Sequence, residues 1–208
     1  MGVPRLILAS QSPARRALLS AAGIDTEVIV SGVDESAVEA GDAGALSSTL
    51  ARMKAQAVAE RLRTSDRAGD DLLVLGCDSV LAFDGAILGK PADAEDARKR
   101  WTQMRGRSGV LHTGHCLIRL ATGHAVSAGT ATTVHFADLA DAEIDAYVAT
   151  GEPLQVAGAF TIDGLGGAFV ERIEGDHGTV VGLSLPALRR MLAEHDVAIA
   201  AMWRPHAG

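Results

Sequence analysis

Aromatic rings are scarce in this sequence: Phe, Trp and Tyr make up 3% of 208 residues. Few side chains are left to stack on bases. The net charge of −7 likewise denies the chain the positive field that a nucleic-acid polymer or an anionic membrane needs. Cysteine is almost absent too. Cys77 and Cys116 are the only two, too few for a disulfide framework or a cysteine-rich zinc site, and they predict a reduced, cytoplasmic setting. No apolar run approaches a membrane span, and Arg5 arrives before a secretory hydrophobic region has room to form. Position six is leucine, where a myristoylation signal needs Ser or Thr. What remains is a globular composition, 48% apolar and 22% charged, with length for one substantial core or two lobes sharing a sheet. A small anion is still an eligible ligand, because a local cluster of Arg and Lys acts inside an acidic protein.

Apolar runs and helical spacings alternate along the chain, predicting an α/β fold. Strands are expected at Leu6–Ala9, Glu27–Val30, Leu72–Gly76, Val80–Phe83 and Ala86–Leu88, the last two around an Asp84-Gly85 hairpin turn. Val110–Leu120 and His124–Phe136 read as a long antiparallel hairpin, which excludes a wholly parallel dinucleotide-binding sheet. Further strands are expected at Ala159–Ile162 and Ala168–Ile173, with an edge strand at Val197–Met202. Helices are expected at Pro13–Ala22, Ala45–Leu62, Asp93–Met104, Asp141–Thr150 and Leu185–Leu192. In the second of these, Leu46, Leu50, Met53 and Ala57 mark one face. Nothing marks a repeat, a linker or a domain boundary, and the end from Arg204 reads as loose.

Four short segments can carry chemistry. In the first, Ser12 is a good N-cap and Pro13 suits the first helical position, yet Arg15 and Arg16 fall in the first turn, where the helix dipole disfavours cations. Bound anionic oxygens would offset that placement, with Ser10, Ser12, Arg15 and free backbone N–H groups as a phosphate cradle. The alternative is a capped surface helix with solvated arginines. In the second, Asp78 emerges directly from a buried strand. It needs a partner, and could hold a divalent cation, accept a proton from water, or bond loop amides.

In the third, Gly89-Lys90-Pro91 is not a Walker A motif: Gly85 is one residue too close and proline replaces the needed Ser or Thr. Lys90 can still meet a phosphate, or stand as a surface lysine. In the fourth, Asp34-Glu35 near a strand end suits Mg²⁺ or simple capping, with Lys54 following on the long helix. His112 and His115 are three apart in a strand, so they face opposite ways, share no metal and read as solvated.

The order of these segments is more specific than any one of them. Ser10-Gln11-Ser12-Pro13 with Arg15, Asp34-Glu35, Lys54-Ala55, Cys77-Asp78-Ser79, Gly89-Lys90-Pro91, Ala157-Gly158-Ala159-Phe160 and Val180-Val181-Gly182-Leu183 resemble the Maf-like nucleotide pyrophosphatases from Leu6 to about Leu192. The resemblance implies a single domain with an elongated, twisted mixed sheet, flanking helices and a central cleft, of the Maf/inosine triphosphatase type. It also implies hydrolysis of nucleoside triphosphates to monophosphate and pyrophosphate with Mg²⁺ or Mn²⁺, a house-cleaning role, and a homodimer. By the same resemblance Asp78 is the catalytic acid and a metal ligand with Glu35. Ser10, Ser12, Arg15, Lys54 and Lys90 line the phosphate cleft, while Ser79 and Asp163 border the base. A non-catalytic regulator of septum formation is the rival reading. Departures from the family pattern include Ala14 for the first of two arginines, Ser79 for Thr or Gln, Val156 for Lys, and Asp163 for Gln or Glu.

Overall fold

The computed structural model describes residues 3–36, 38 and 41–204. One mixed sheet runs through it in the order β2-β1-β3-β5-β6-β7, with β4 paired to β3 alone. β1 (Arg5–Leu8) lies parallel to β2 (Thr26–Val28) and to the first part of β3 (Leu72–Phe83). Everything after is antiparallel: β4 (Ala86–Leu88), β5 (Ser108–Arg119), β6 (Ala125–Phe136) and β7 (Val170–Glu174). The Asp84-Gly85 turn takes positive φ at both residues, +52° and +78°, as a two-residue hairpin of this hand requires.

The helix starts are held by side chains, as expected at Ser12; the second helix begins two residues before the expected Ala45, and the one at His177–Val181 was not expected. Ser12 accepts from Arg15 N and sets α1 (Pro13–Ala21), while Asp42 does the same for α2 (Ala43–Arg63). Asp93 caps α3 (Ala94–Met104), and α4 (Asp141–Ala149) begins with the Glu143 carboxylate accepting from Ala140 N. α5 (His177–Val181), capped by Asp176, and α6 (Leu185–Ala193), capped by Ser184, complete the set.

Alternation along β3 divides the core. Leu72, Val74 and Gly76 face α2, in a cluster with Ala55, Val58, Ala59 and Leu62. On the other face Leu73, Leu75 and Cys77 pack with Leu19 of α1 and Leu188 and Met191 of α6. Further along the same face Leu81 and Phe83 join a second cluster around Trp101, whose ring meets Phe136 and Tyr147 edge-on at 5.6 Å.

Several expectations are corrected. β3 is unbroken through Asp78, because β5 pairs with it from Leu73 to Ala82. The buried face of α2 is Ser47, Leu50, Ala51, Lys54, Ala55 and Val58, not Leu46, Met53 and Ala57, which are half-buried. Glycine decides this. A Cβ on Gly76 would lie 2.2 Å from Ala51 O, and one on Gly114 2.3 Å from Ser47 O, so the helix presses its small residues directly onto the sheet backbone. Residues 157–159 form a 3₁₀ turn where a strand is expected at Ala159–Ile162, and Ala159 itself has φ +59°. The strand expected from Ala168 starts only at Val170, after a 3₁₀ turn at Leu165–Phe169. Val197–Met202 is no edge strand; it holds a 3₁₀ turn at Ile199–Met202. His115 is fully buried, not solvated. Arg204 is tied by its N–H to Gly23 O at 2.8 Å, and the rest of the expected loose end lies outside the described residues.

Candidate active site

β3 is paired on one edge by β1 only as far as Leu75, which also accepts from Ala9 N, and by β4 only from Leu81. Between them, Gly76–Val80 has no partner strand on that edge among the described residues. This gap is the cleft, and Asp78 and Ser79 sit in its middle.

On the α2 side, Asp78 is 6% exposed and its Oδ1 lies 2.6 Å from Lys54 Nζ. The same ammonium reaches Glu35 Oε1 at 2.7 Å. Lys54 can do this because Ala51 and Ala55 hold its helix against Gly76. Burial pushes the Asp78 carboxyl above the ordinary carboxylate range, opposed by the charges of Lys54 and Arg15 and reinforced by Glu35. Asp34, next to Glu35, turns away and accepts from Ser36 N and Oγ.

On the opposite face, Arg15 is buried beside Ser79. Its Nε donates to Gly182 O at 2.7 Å, one terminal nitrogen to Ser10 Oγ at 3.1 Å and the other to Ser79 Oγ at 3.0 Å. The cation at the start of α1 is thus held by a carbonyl and two hydroxyls, with N–H groups of its fork left over. Arg16 is exposed. Ser10 Oγ also accepts from Ser12 N, closing the turn before α1. Ser79 Oγ bonds Thr113 Oγ1 at 2.9 Å, and Thr113 donates to Thr179 O at 2.8 Å.

The structure therefore brings Ser10, Ser12, Arg15 and Ser79 together on one side of the strand, and Glu35, Lys54 and Asp78 on the other. Lys90 is exposed at the end of β4, in a turn whose Gly89 O accepts from Gly158 N and Arg100. Asp163 is exposed at the start of the glycine loop. Thr113 and Thr179 have no sequence signal of their own, and His115 reads only as solvated: the pairing of β5 with β3 sets Thr113 and His115 on the Arg15 side, and α5 brings Thr179 to Thr113. Two open hollows of about 510 and 700 Å³ lie around Val3, Pro4 and Ala201 and contain none of these side chains.

Two carboxylate oxygens converging on one positive charge suit a divalent cation, with Lys54 yielding part of its contact. Among the described residues no group of three or more His, Cys, Asp or Glu is assembled. Such an ion would draw its remaining ligands from phosphate oxygens and water, as Mg²⁺ commonly does.

The family described as Maf-like protein matches residues 5–195. A nucleoside triphosphate pyrophosphatase of Salinispora tropica is 64% identical over 96% of this chain and 87% of its own. The protein of that name from Streptomyces coelicolor is 55% identical over 97% and 95%, and that from Synechococcus elongatus 52% over 98% and 100%. The solved structure of the Staphylococcus aureus Ham1 protein aligns at 15% identity over 64% of this chain and 72% of its own, with a TM-score of 0.41, too low to bear on the fold. With the family match over residues 5–195 and relatives 52% to 64% identical over nearly its whole length, the chain belongs to the Maf-like protein family.

Proposed function

We propose that the chain hydrolyses nucleoside triphosphates to the monophosphate and pyrophosphate. The observation that carries this reading is Asp78, a buried carboxylate gripped by Lys54 where one edge of β3 has no partner strand among the described residues, beside a buried arginine. The names of the relatives favour hydrolysis over a non-catalytic role in cell division.

The Arg15 fork and the N–H groups at the start of α1 bind phosphate oxygens, and Lys54 adds its charge from the other face. Water attacks the α-phosphorus, the bond to the bridging oxygen breaks, and pyrophosphate leaves. Asp78 takes the proton; a carboxyl raised by burial is a better base than an ordinary one. Cations around the phosphates stabilise the charge that spreads over their oxygens. A Mg²⁺ or Mn²⁺ ion held by Glu35 and Asp78 would supply further charge neutralisation and polarise the phosphate.

Cytoplasmic location belongs to the same reading, supported by two buried, unpaired thiols, and so does the homodimer, which sedimentation equilibrium tests. The deciding experiment measures pyrophosphate release from a nucleotide panel, with chelator and after adding back Mg²⁺ or Mn²⁺. Turnover that vanishes with chelator and returns with the ion is expected. No release from any triphosphate overturns the hydrolase reading, and full release in metal-free chelator removes the ion.

A further inference from the structure

We propose that Glu152 is a positioning residue that holds residues 161–166 as a preformed wall for the nucleoside end of the substrate; this rests on the hydrolase reading above. Glu152 follows Gly151, whose φ of +76° turns the chain out of α4. One carboxylate oxygen accepts from Tyr147 Oη at 2.9 Å, from Gly166 N at 3.0 Å and from Thr161 Oγ1. The other accepts from Leu165 N at 3.0 Å. The Tyr147 hydroxyl in turn accepts from Thr161 N at 3.3 Å. The loop is wrapped so closely that a Cβ on Gly164 would lie 2.6 Å from the Glu152 carboxylate, and one on Gly166 2.3 Å from Tyr147 Oη. Burial alone would raise the Glu152 carboxyl, but the bonds from Thr161, Leu165, Gly166 and Tyr147 outweigh it and hold the group below its usual range. It is an anion at neutral pH, with its accepting capacity committed to this loop.

The position of the loop gives that commitment a purpose. The segment leading into it packs on β3 where the gap ends: Gly158 N donates to Gly89 O at 3.1 Å, and a Cβ on Gly158 would lie 2.8 Å from the Leu81 side chain. The near bank of the gap is Ser10 to Arg15, which with Lys54 claims the phosphates. Past Lys90, the far bank is what remains for the sugar and base. The loop that follows this segment carries Asp163 and Leu165, both exposed, the latter to 60%. Exposed residues gain nothing from burial, so their shape has to come from hydrogen bonds, and Glu152 supplies them.

Glu152→Gln tests this. The amide keeps shape but sets an N–H against the Leu165 N–H, donor facing donor. KM for a nucleoside triphosphate should rise about tenfold, the effect of one unmatched hydrogen-bonding group, while kcat stays within about threefold. The Ki of inorganic tripolyphosphate, which has no nucleoside, should not move. Leu165→Ser, at an exposed position that leaves folding intact, should give the same split and decides alone if Glu152→Gln does not fold. Unchanged KM in an active enzyme overturns the inference, as does a parallel rise of KM and tripolyphosphate Ki, which would mark a merely structural role. A wild-type chain that releases no pyrophosphate overturns the hydrolase reading first, so the two failures are told apart.

Discussion

Acid should weaken this fold through His115, and the size of the effect follows from its contacts. The ring is fully buried beneath the start of α6. Its Nε2 accepts from Ser184 N at 2.9 Å, so the proton sits on Nδ1, which donates to Ala128 O at 3.2 Å. A second proton on Nε2 would face the Ser184 N–H, donor against donor. Burial is the largest cause of a pKa lowered from 6.5 to about 4; Arg15 adds to it, while the Ala128 bond and Asp176 oppose it. The unfolded chain therefore binds a proton that the folded chain refuses between these values. Stability is intact above about pH 6.5, is lost as pH falls, and stops falling once the folded ring also protonates near pH 4. At about 1.4 kcal/mol per tenfold in proton affinity, the full loss is about 3 kcal/mol, of which about 2.5 kcal/mol is gone by pH 4.5. Urea unfolding at a series of pH values, for the wild type and His115→Gln, isolates the effect, since every carboxylate titrates alike in both. Between pH 7 and 4.5 the wild type should lose more stability than His115→Gln does, by that same amount. Parallel lines would refute the reasoning. The consequence reaches the site, because the same loop carries Gly182, whose carbonyl holds Arg15.

Asp78→Asn should lower kcat by about 10²–10⁴-fold without lowering the melting temperature, since a side chain whose ionised form is disfavoured by burial gives way to a neutral one; wild-type turnover would make Asp78 structural. Gly76→Ala must push α2 away from β3, costing about 1–3 kcal/mol or more in urea unfolding and loosening the Lys54–Asp78 pair, so kcat should fall as well. An unchanged urea midpoint would contradict the close approach. Asp163→Gln replaces an acceptor with a group that also donates, so the order of kcat/KM on UTP, dTTP, CTP, GTP and 7-methyl-GTP should change more than the rate on the best substrate. An unchanged order would mean that Asp163 does not read the base.

The start of α1 was plain because its cap is local, Ser12 bonding the N–H three residues on; α3 and α6 were plain from their helical spacing, and Asp93 and Ser184 cap them in the same local way. The β5–β6 hairpin was plain from its long apolar and Thr-rich runs. The face of α2 was hidden, because apolar spacing points to Leu46 and Met53, whereas the packing is set by two glycines on other elements, Gly76 and Gly114. The turns after Val156 resisted for a related reason. Ala159 at φ +59° is held by Gly158 bonding Gly89 and by Trp101 Nε1 donating to Ala159 O at 2.7 Å, the latter across 58 residues of sequence, contacts no local pattern announces. Asp78, Lys54 and Glu35 were legible as a set through their order along the chain, while the bonded hydroxyls of Ser79 and Thr113 appear only once β5 lies against β3.

Asp78 and Ser79 are neighbours in sequence, yet one serves the helix side of the sheet and the other the arginine side. Strand side chains alternate, so a slip of β3 by a single residue would exchange the carboxylate and the hydroxyl between the two compartments. Lys54 would then face a hydroxyl, and Arg15 would be neutralised by a carboxylate in place of the phosphate it is free to take. The chemistry of the cleft is thus written in pairing register, and the long ladder from Leu73 to Ala82 against β5 acts as its proofreader during folding.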